Sequence, residues 1–424
     1  MLNSQNIFYK KKILIYGLGK SGLSAFKFLK KNNEIIKYDD KIKTSNKIIK
    51  KDFDHIILSP GIDINKCSLN SFLKKNYKKI HTDLDIFYNH YKHNNKITIT
   101  GTNGKSTTAK ILYEVLKDQK IDVRLVGNIG NPILLEKNIT SKTVFVIEAS
   151  SYQLEYSKLF KSNISLILNI SPDHLDRHKT INKYINAKFK LVKNQSKNDL
   201  AILNVNNLYI KRELKLKNFL PKIIKVDKKT NIIFAKKIKN QYFNTNGNKE
   251  NLQFVLAVAK ILKLKKNSLL KTLNKFKGLK YRQEIIYYSK KLMIINDSKA
   301  TSFSSSVSLL KSLDNVYWIV GGLAKKGDRL LLTKQESKNF KAYVFGSDKD
   351  FFIRKLKKLM KYESFLDLKT CINKIFLDIR VDKQLTRKTI LFSPSAASFD
   401  NFKNFEERGK FFNNLIKRYI NAKL

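Results

Sequence analysis

"TITGTNGKSTT", residues 98–108, carries an apolar run into a Gly-Lys-Ser triplet and then into a helix-like stretch. Such a loop suits phosphate. Its backbone N–H groups and the dipole of the following helix converge on phosphate oxygens. A lysine reaches the terminal phosphates, and a Ser or Thr hydroxyl can ligate Mg²⁺. The common pattern G-x-x-x-x-G-K-[ST] would put its first glycine at Ile99, where none stands. Read alone, the loop is either a nucleotide cradle or a Gly-rich turn without a ligand.

Downstream, "TVFVIEASS" (143–151) and "ISLILNISPDH" (164–174) read as buried strands ending in polar groups. In an open parallel sheet, ligands bind outside the carboxyl ends of the strands. That rule brings the Gly-Lys-Ser loop, Glu148 and Asp173-His174 to one edge. There Lys105 can meet the β- and γ-phosphates, Ser106 can ligate Mg²⁺, and Glu148 offers a hard oxygen. His174 is an unusual Mg²⁺ ligand and reads equally well as a loop histidine in a hydrogen bond. A helix at 181–193, the strand "LAILN" and the helix-periodic "NLQFVLAVAKIL" complete an α/β domain over 93–278.

Upstream, "KKILIYGLGKSGLSAFKFLKKNNEIIKYDD" reads strand, turn, helix, strand, with Gly17, Gly19 and Gly22 in G-x-G-x-x-G spacing. Asp39 and Asp40 follow about 20 residues on, as in a dinucleotide fingerprint. With "HIILSPG" (55–61) this makes a Rossmann-like domain over 1–92. Beyond 278, "LMIINDSKATS", "VYWIVGG", "KAYVFGS" and "TILFSPSAASFDNF" are strands feeding loops, a second Rossmann-like domain over 279–424. The expected fold is α/β with three domains, the central one a P-loop-type ATPase with a mostly parallel sheet. A dehydrogenase explains the first fingerprint but has no use for a Gly-Lys-Ser loop.

Composition narrows the class. The 424 residues carry a formal net charge of +51. The lysines are spread along the chain among many Asn and Ile, which points to compositional drift and a solvated basic surface rather than a nucleic-acid stripe. Cys67 and Cys371 have no metal-ligand spacing and read as unpaired packing thiols in a reducing compartment. No apolar run approaches the roughly 18 residues of a membrane span, and no signal peptide precedes Lys10-Lys11-Lys12. A cytoplasmic monomer without a specific nucleic-acid partner is expected.

Several stretches then match, in order, one family. "TGTNGKSTT", "GNIGNP" (127–132), "EASSYQLE" (148–155), "LNISPDHLDRH" (168–178) and "NAKFKL" (186–191) resemble the ATPase domain of the Mur ligases. That family's loop lacks the first glycine, so the resemblance implies an ATP site. "NDSKATS" (296–302), "GGLAKKGD" (321–328) and "SPSAASFDNFKNFEERG" (393–409) resemble one branch of it. That branch adds D-glutamate to UDP-N-acetylmuramoyl-L-alanine through an acyl phosphate, consuming ATP, in peptidoglycan biosynthesis. The D-N-P-R signature of the branch adding meso-diaminopimelate or lysine is absent.

The resemblance implies roles residue by residue. Gly101, Thr102, Asn103, Gly104, Lys105, Ser106 and Thr107 would handle ATP phosphates, with Ser106, Glu148, His174 and Lys188 serving Mg²⁺. Lys105, His174 and Lys188 would be catalytic, Lys188 as a CO₂-derived carbamate. Arg282 and Asp297 would reach ATP phosphate and ribose. The first fingerprint becomes a pocket for the UDP part of the substrate, with Lys20, Ser21, Ser59 and Gly61, while Asn128 meets the reacting end. Lys299, Thr301, Lys325, Ser398 and Phe405 would hold D-glutamate, and closure of the third domain would exclude water. Phe405 reads equally as core packing. The adenine-side motif G-x-H-N-x-x-N stands here as "GNKENLQ", with Lys249, Glu250 and Gln253 at the altered positions, and Lys280-Tyr281 replaces the usual Pro-His. Rival readings are a sister ligase adding another amino acid and a nucleic-acid-binding ATPase.

Overall fold

Runs of Ile, Val, Leu and Phe too uniformly apolar to alternate become strands covered on both faces, the signature of parallel sheets. The computed structural model describes residues 6–41, 48–227, 230–325 and 328–423, so Lys326 and Gly327 of "GGLAKKGD" lie outside the described residues. The first sheet holds β1 (Lys12–Tyr16), β2 (Glu34–Tyr38), β3 (His55–Leu58) and β4 (Ile80–His81) in the order β2-β1-β3-β4. The second holds β5 (Asn95–Thr100), β6 (Val123–Gly127), β7 (Val144–Glu148), β8 (Ile164–Ile167), β9 (Leu200–Asn204) and β10 (Lys222–Val226), ordered β10-β9-β8-β5-β7-β6. Both are parallel throughout. The second sheet's chain turns back across β5, so the crevice at a topological switch point opens at the end of that strand.

The third sheet comprises β11 (Glu284–Tyr288), β12 (Leu292–Asn296), β13 (Val316–Gly321), β14 (Phe340–Phe345), β15 (Lys361–Ser364) and β16 (Lys388–Phe392), ordered β11-β12-β16-β13-β14-β15. Only its β11–β12 hairpin is antiparallel, with a register shift between Ile285 and Tyr287.

The chain divides into two compact units, residues 1–238 with 250–274, and residues 239–249 with 275–424. The first unit contains both of the first two sheets. Ile13, Ile15, Leu84 and Phe87 share one core with Val126, Phe145, Ile147 and Leu154. A buried carboxylate also fastens these parts. Asp85, on helix Asp83–His90, accepts from Ser157 Oγ at 2.7 Å and from the N–H groups of Lys158, Leu159 and Phe160 at 2.9, 2.8 and 3.1 Å. Its other oxygen accepts from the Thr82 N–H at 2.9 Å, closing a capping box. Full satisfaction is what allows a charge to sit at zero exposure.

Candidate active site

The phosphate loop leaves β5 and enters helix Lys105–Asp118 through Gly104, whose φ of +83° favours glycine. A Cβ there would also lie 2.1 Å from the Asn251 side-chain oxygen. The loop after β8 shapes it from the other side. The Thr102 N–H donates to the Asn169 carbonyl at 2.9 Å, and the Asn103 N–H to the Asn169 side-chain oxygen at 2.8 Å. Ile99, where the common pattern has glycine, is instead a fully buried strand residue.

Around this loop the predicted residues form two groups. Glu148, 1% exposed at the end of β7, accepts from Ser106 Oγ at 2.6 Å and from Asn128 Nδ2 at 2.8 Å. A buried carboxylate and a hydroxyl are hard oxygen donors, which suits Mg²⁺ taking its remaining ligands from phosphates and water. Two lysines form the other group. Lys105 Nζ donates to the carbonyls of Gly101 and Thr102 at 2.9 and 2.8 Å, and Lys188 Nζ to the Gly101 carbonyl at 2.7 Å. Lys188 is 1% exposed and lies 4.5 Å above the Tyr184 ring. Burial, reinforced by Lys105, pushes its ammonium well below the usual lysine range. Thr107 is buried in the first helical turn.

His174 keeps other company. It has a φ of +53°, its Nδ1 lies 2.9 Å from Tyr152 Oη, and its Nε2 lies 3.4 Å from Asp173 Oδ2. Among the described residues no three His, Cys, Asp or Glu side chains converge into a metal-binding group. The structure joins Ser106, Asn128 and Glu148, and pairs His174 with Tyr152 and Asp173.

The first fingerprint folds as a tight strand–turn–helix. Gly17 has a φ of +91°, and a Cβ on Gly22 would lie 1.9 Å from the Gly17 carbonyl oxygen. Ser59 Oγ donates to that same carbonyl at 2.6 Å, joining the ends of β1 and β3. The Leu18 N–H donates to Asp39 at 2.8 Å. Lys20 and Ser21 open helix Lys20–Leu29, while Gly61 has open space where a Cβ would stand.

In the second unit, Asp297 follows β12 and accepts from the Gln283 N–H at 3.1 Å and from Ser393 Oγ at 2.9 Å. Burial pushes its carboxyl up to about 7, against the pull of Arg282 and Arg408. Lys299 Nζ sits 4.1 Å and the Arg282 guanidinium 5.9 Å from the centre of the Phe405 ring, whose face attracts cations. Arg408, 1% exposed, donates to the carbonyls of Ser298, Ala396 and Ala397 at 2.7, 2.9 and 3.2 Å. It thereby holds the loops after β12 and β16 together, which fixes Ser398. Thr301 is exposed and Lys325 half-buried.

Sequence reasoning passed over Asn169, Asn251 and Arg408. The first lies inside "LNISPDH" and the last inside "NFEERG", stretches already singled out. Asn251 stands in "GNKENLQ" beside the altered positions, and its packing against Gly104 is what the spacing hid.

A family model for the Mur ligase middle domain matches residues 99–267. The UDP-N-acetylmuramoylalanine–D-glutamate ligase of Rickettsia felis is 34% identical over 97% of this chain and 98% of its own. The enzyme of that name from Rickettsia prowazekii is 35% identical over 98% and 99%. Among solved structures, the UDP-N-acetylmuramate–alanine ligase of Thermotoga maritima superposes with a TM-score of 0.57 at 16% identity, covering 97% of this chain and all of that one. The same organism's MurF ligase, in complex with ADP, gives 0.55 at 15%, covering 99% and 98%. At such identities the solved structures speak for the fold, and the full-length relatives for the family. This chain belongs to the Mur ligase family and, within it, to the group of UDP-N-acetylmuramoylalanine–D-glutamate ligases.

Proposed function

We propose that the chain forms the amide bond between UDP-N-acetylmuramoyl-L-alanine and D-glutamate, with ATP converted to ADP and phosphate, in peptidoglycan biosynthesis. The observation that carries the reading is the Ser106–Glu148–Asn128 cluster at the mouth of a phosphate loop, in a chain related along almost its whole length to ligases of that name. The first sheet would take the UDP part, the second ATP, and the third D-glutamate.

A carboxylate resists an amine because it is anionic and has a poor leaving group. The L-alanyl carboxylate oxygen attacks the γ-phosphorus, and the bond to ADP breaks. The D-glutamate amine then attacks the acyl carbon, the C–N bond forms, and phosphate leaves. Lys105 neutralises charge at the transferring phosphoryl group. Ser106 and Glu148 would hold Mg²⁺, which would supply further neutralisation at the phosphates when bound. Asn128 orients the reacting end of the substrate, and His174 would be a further metal ligand.

Lys188 carries a carbamate in this reading. Its buried amine, in the neutral form that burial favours, would add to CO₂, forming an N–C bond and releasing a proton, and the resulting anionic oxygens would suit Mg²⁺. Arg282 and Asp297 take ATP phosphate and ribose, while Lys299, Thr301, Lys325, Ser398 and Phe405 receive D-glutamate, whose two carboxylates need separate cationic or hydroxyl contacts. No described helix is long and apolar enough to cross a membrane, and the reading is of a monomer working in the cytoplasm.

Phosphate release by purified protein, with each substrate omitted in turn, tests it. Release should need ATP and UDP-N-acetylmuramoyl-L-alanine, and turnover should need D-glutamate. Equal turnover with a neutral or cationic amino acid would move the chain to a sister branch.

A further inference from the structure

Two short helices adjoin the residues on which the metal reading depends, and side chains lock them together. Helix Ser151–Tyr156 follows the strand that ends at Glu148, and a capping box fixes its start. The Gln153 N–H donates to Ser150 Oγ at 3.2 Å, and the Ser150 N–H donates to Gln153 Oε1 at 3.1 Å. His174 immediately precedes helix Leu175–His178. Three contacts join the two helices. Tyr152 Oη lies 2.9 Å from His174 Nδ1, with the two ring centres 4.9 Å apart. Arg177 Nε donates to Glu155 Oε2 at 3.0 Å, and its guanidinium lies 5.1 Å from the centre of the Tyr152 ring. His178 Nε2 and Ser151 Oγ lie 3.0 Å apart. Arg177 and His178 are buried, so little water competes for these contacts. Lys190, on the helix Ile181–Lys193 that bears Lys188, donates to the Glu155 carbonyl. The helix that follows Glu148 therefore touches the segments carrying His174 and Lys188.

We propose that Tyr152 is a positioning residue for His174, its hydroxyl orienting the imidazole so that Nε2 is the nitrogen offered to a divalent cation. The inference rests on the reading of His174 as a metal ligand. Mg²⁺ prefers hard oxygen, so an imidazole serves it best when the ring's orientation is fixed beforehand. The ring has two nitrogens, and a hydroxyl at Nδ1 leaves Nε2 as the ligating atom. Asp173 Oδ2, 3.4 Å from Nε2, favours a proton there, in the tautomer whose Nε2 cannot take a metal. The Tyr152 hydroxyl suits either form, because it can donate to bare Nδ1 or accept from Nδ1–H. It thus keeps one ring orientation whether Nε2 carries a proton or a metal. Tyr152 touches neither metal nor phosphate in this scheme. It acts through His174.

A double-mutant cycle on metal affinity tests this, with wild type, Tyr152→Phe, His174→Ala and the double variant. Tyr152→Phe removes one oxygen and keeps the ring beneath Arg177, so the helices should stay docked. Mn²⁺ is the probe. Its binding to the full chain with ADP present is followed by water-proton relaxation, which separates protein-bound ion from the ion–nucleotide complex. Tyr152→Phe should weaken Mn²⁺ binding about tenfold or more, the usual cost of losing a partner that orients a metal ligand. Affinity for ADP without metal should stay within about threefold of wild type. In the His174→Ala background the same substitution should cost less than about threefold, since a residue acting through His174 has nothing left to orient. Unchanged Mn²⁺ affinity in Tyr152→Phe beside a weakened one in His174→Ala overturns the inference alone. Equal ion binding in all four proteins, or none, removes the metal-ligand reading of His174 and the inference with it. Losses that multiply in the double variant, or an equal loss of ADP affinity, mark Tyr152 as merely structural and also overturn it.

Discussion

At the scale of single residues, the active site depends on where charge is buried. Lys188 is a surface residue type held at 1% exposure, with its amine on the Gly101 carbonyl and a second lysine close by. Burial disfavours the charged ammonium in that setting, which favours the neutral amine that a carbamate needs. On the carbamate reading, Lys188→Ala should lose nearly all turnover at saturating Mg²⁺, and a short carboxylic acid diffusing into the vacated space should restore part of it. Full turnover without the acid would refute the carbamate. Carbon-13 NMR on protein equilibrated with labelled bicarbonate gives an independent reading, as the carbamate carbon should appear in wild type and vanish in the variant. The lysine's place in "NAKFKL" was legible in sequence, but only through resemblance, because in a chain so rich in lysine no local signal separates a buried one from a solvated one.

At the scale of elements, glycine-bearing turns behave unequally although they look alike in sequence. Gly22 sits in a helix, and a methyl group there would meet the Gly17 carbonyl oxygen at 1.9 Å, a backbone atom with nowhere to go. Gly22→Ala should therefore push the helix off β1, costing about 1–3 kcal/mol of stability as an overpacked contact. The KM for the UDP substrate should rise with it. Gly61→Ala meets nothing within 4 Å and should leave stability within about 0.5 kcal/mol of wild type. Denaturant midpoints of the two variants check both statements, and equal midpoints would sink the close-approach argument. The elements themselves were uneven in legibility. Strongly apolar β5, β7, β8, β13 and β16 were readable as strands. The edge strands β10 and β15 were not, since "KIIKV" and "KYES" are half-exposed, short and rich in lysine or polar residues.

At the scale of the whole molecule, +51 is a large charge for an enzyme. Its lysines are distributed over every segment, so its attraction for polyanions should be diffuse and made of counterion release. Binding to RNA or DNA should be indifferent to sequence and should weaken steeply between about 50 and 200 mM salt. Fluorescence anisotropy with unrelated oligonucleotides across that range checks it. A tight, sequence-selective complex at about 150 mM salt would reopen the nucleic-acid reading. The first unit also shows how far two sheets can be one body, for Asp85 and a shared core bind them where sequence alone suggested a boundary near residue 92.

The sequence by itself determined the α/β class, the central strands, the phosphate loop and the run of motifs that mark the family. These signals are local, because apolar runs, glycine spacing and polar residues at strand ends each act within a few neighbouring positions. The tertiary structure alone decided which polar groups answer one another. Ser106 meets Glu148 across 42 residues of chain, Asp85 meets the 157–160 turn across more than 70, and Arg408 spans 110 to Ser298. Asn251 filling the space left by Gly104 belongs to the same class. Such pairings have no period and no spacing in the chain. They arise only when parallel strands align their carboxyl ends and burial turns polar groups toward one another instead of toward water.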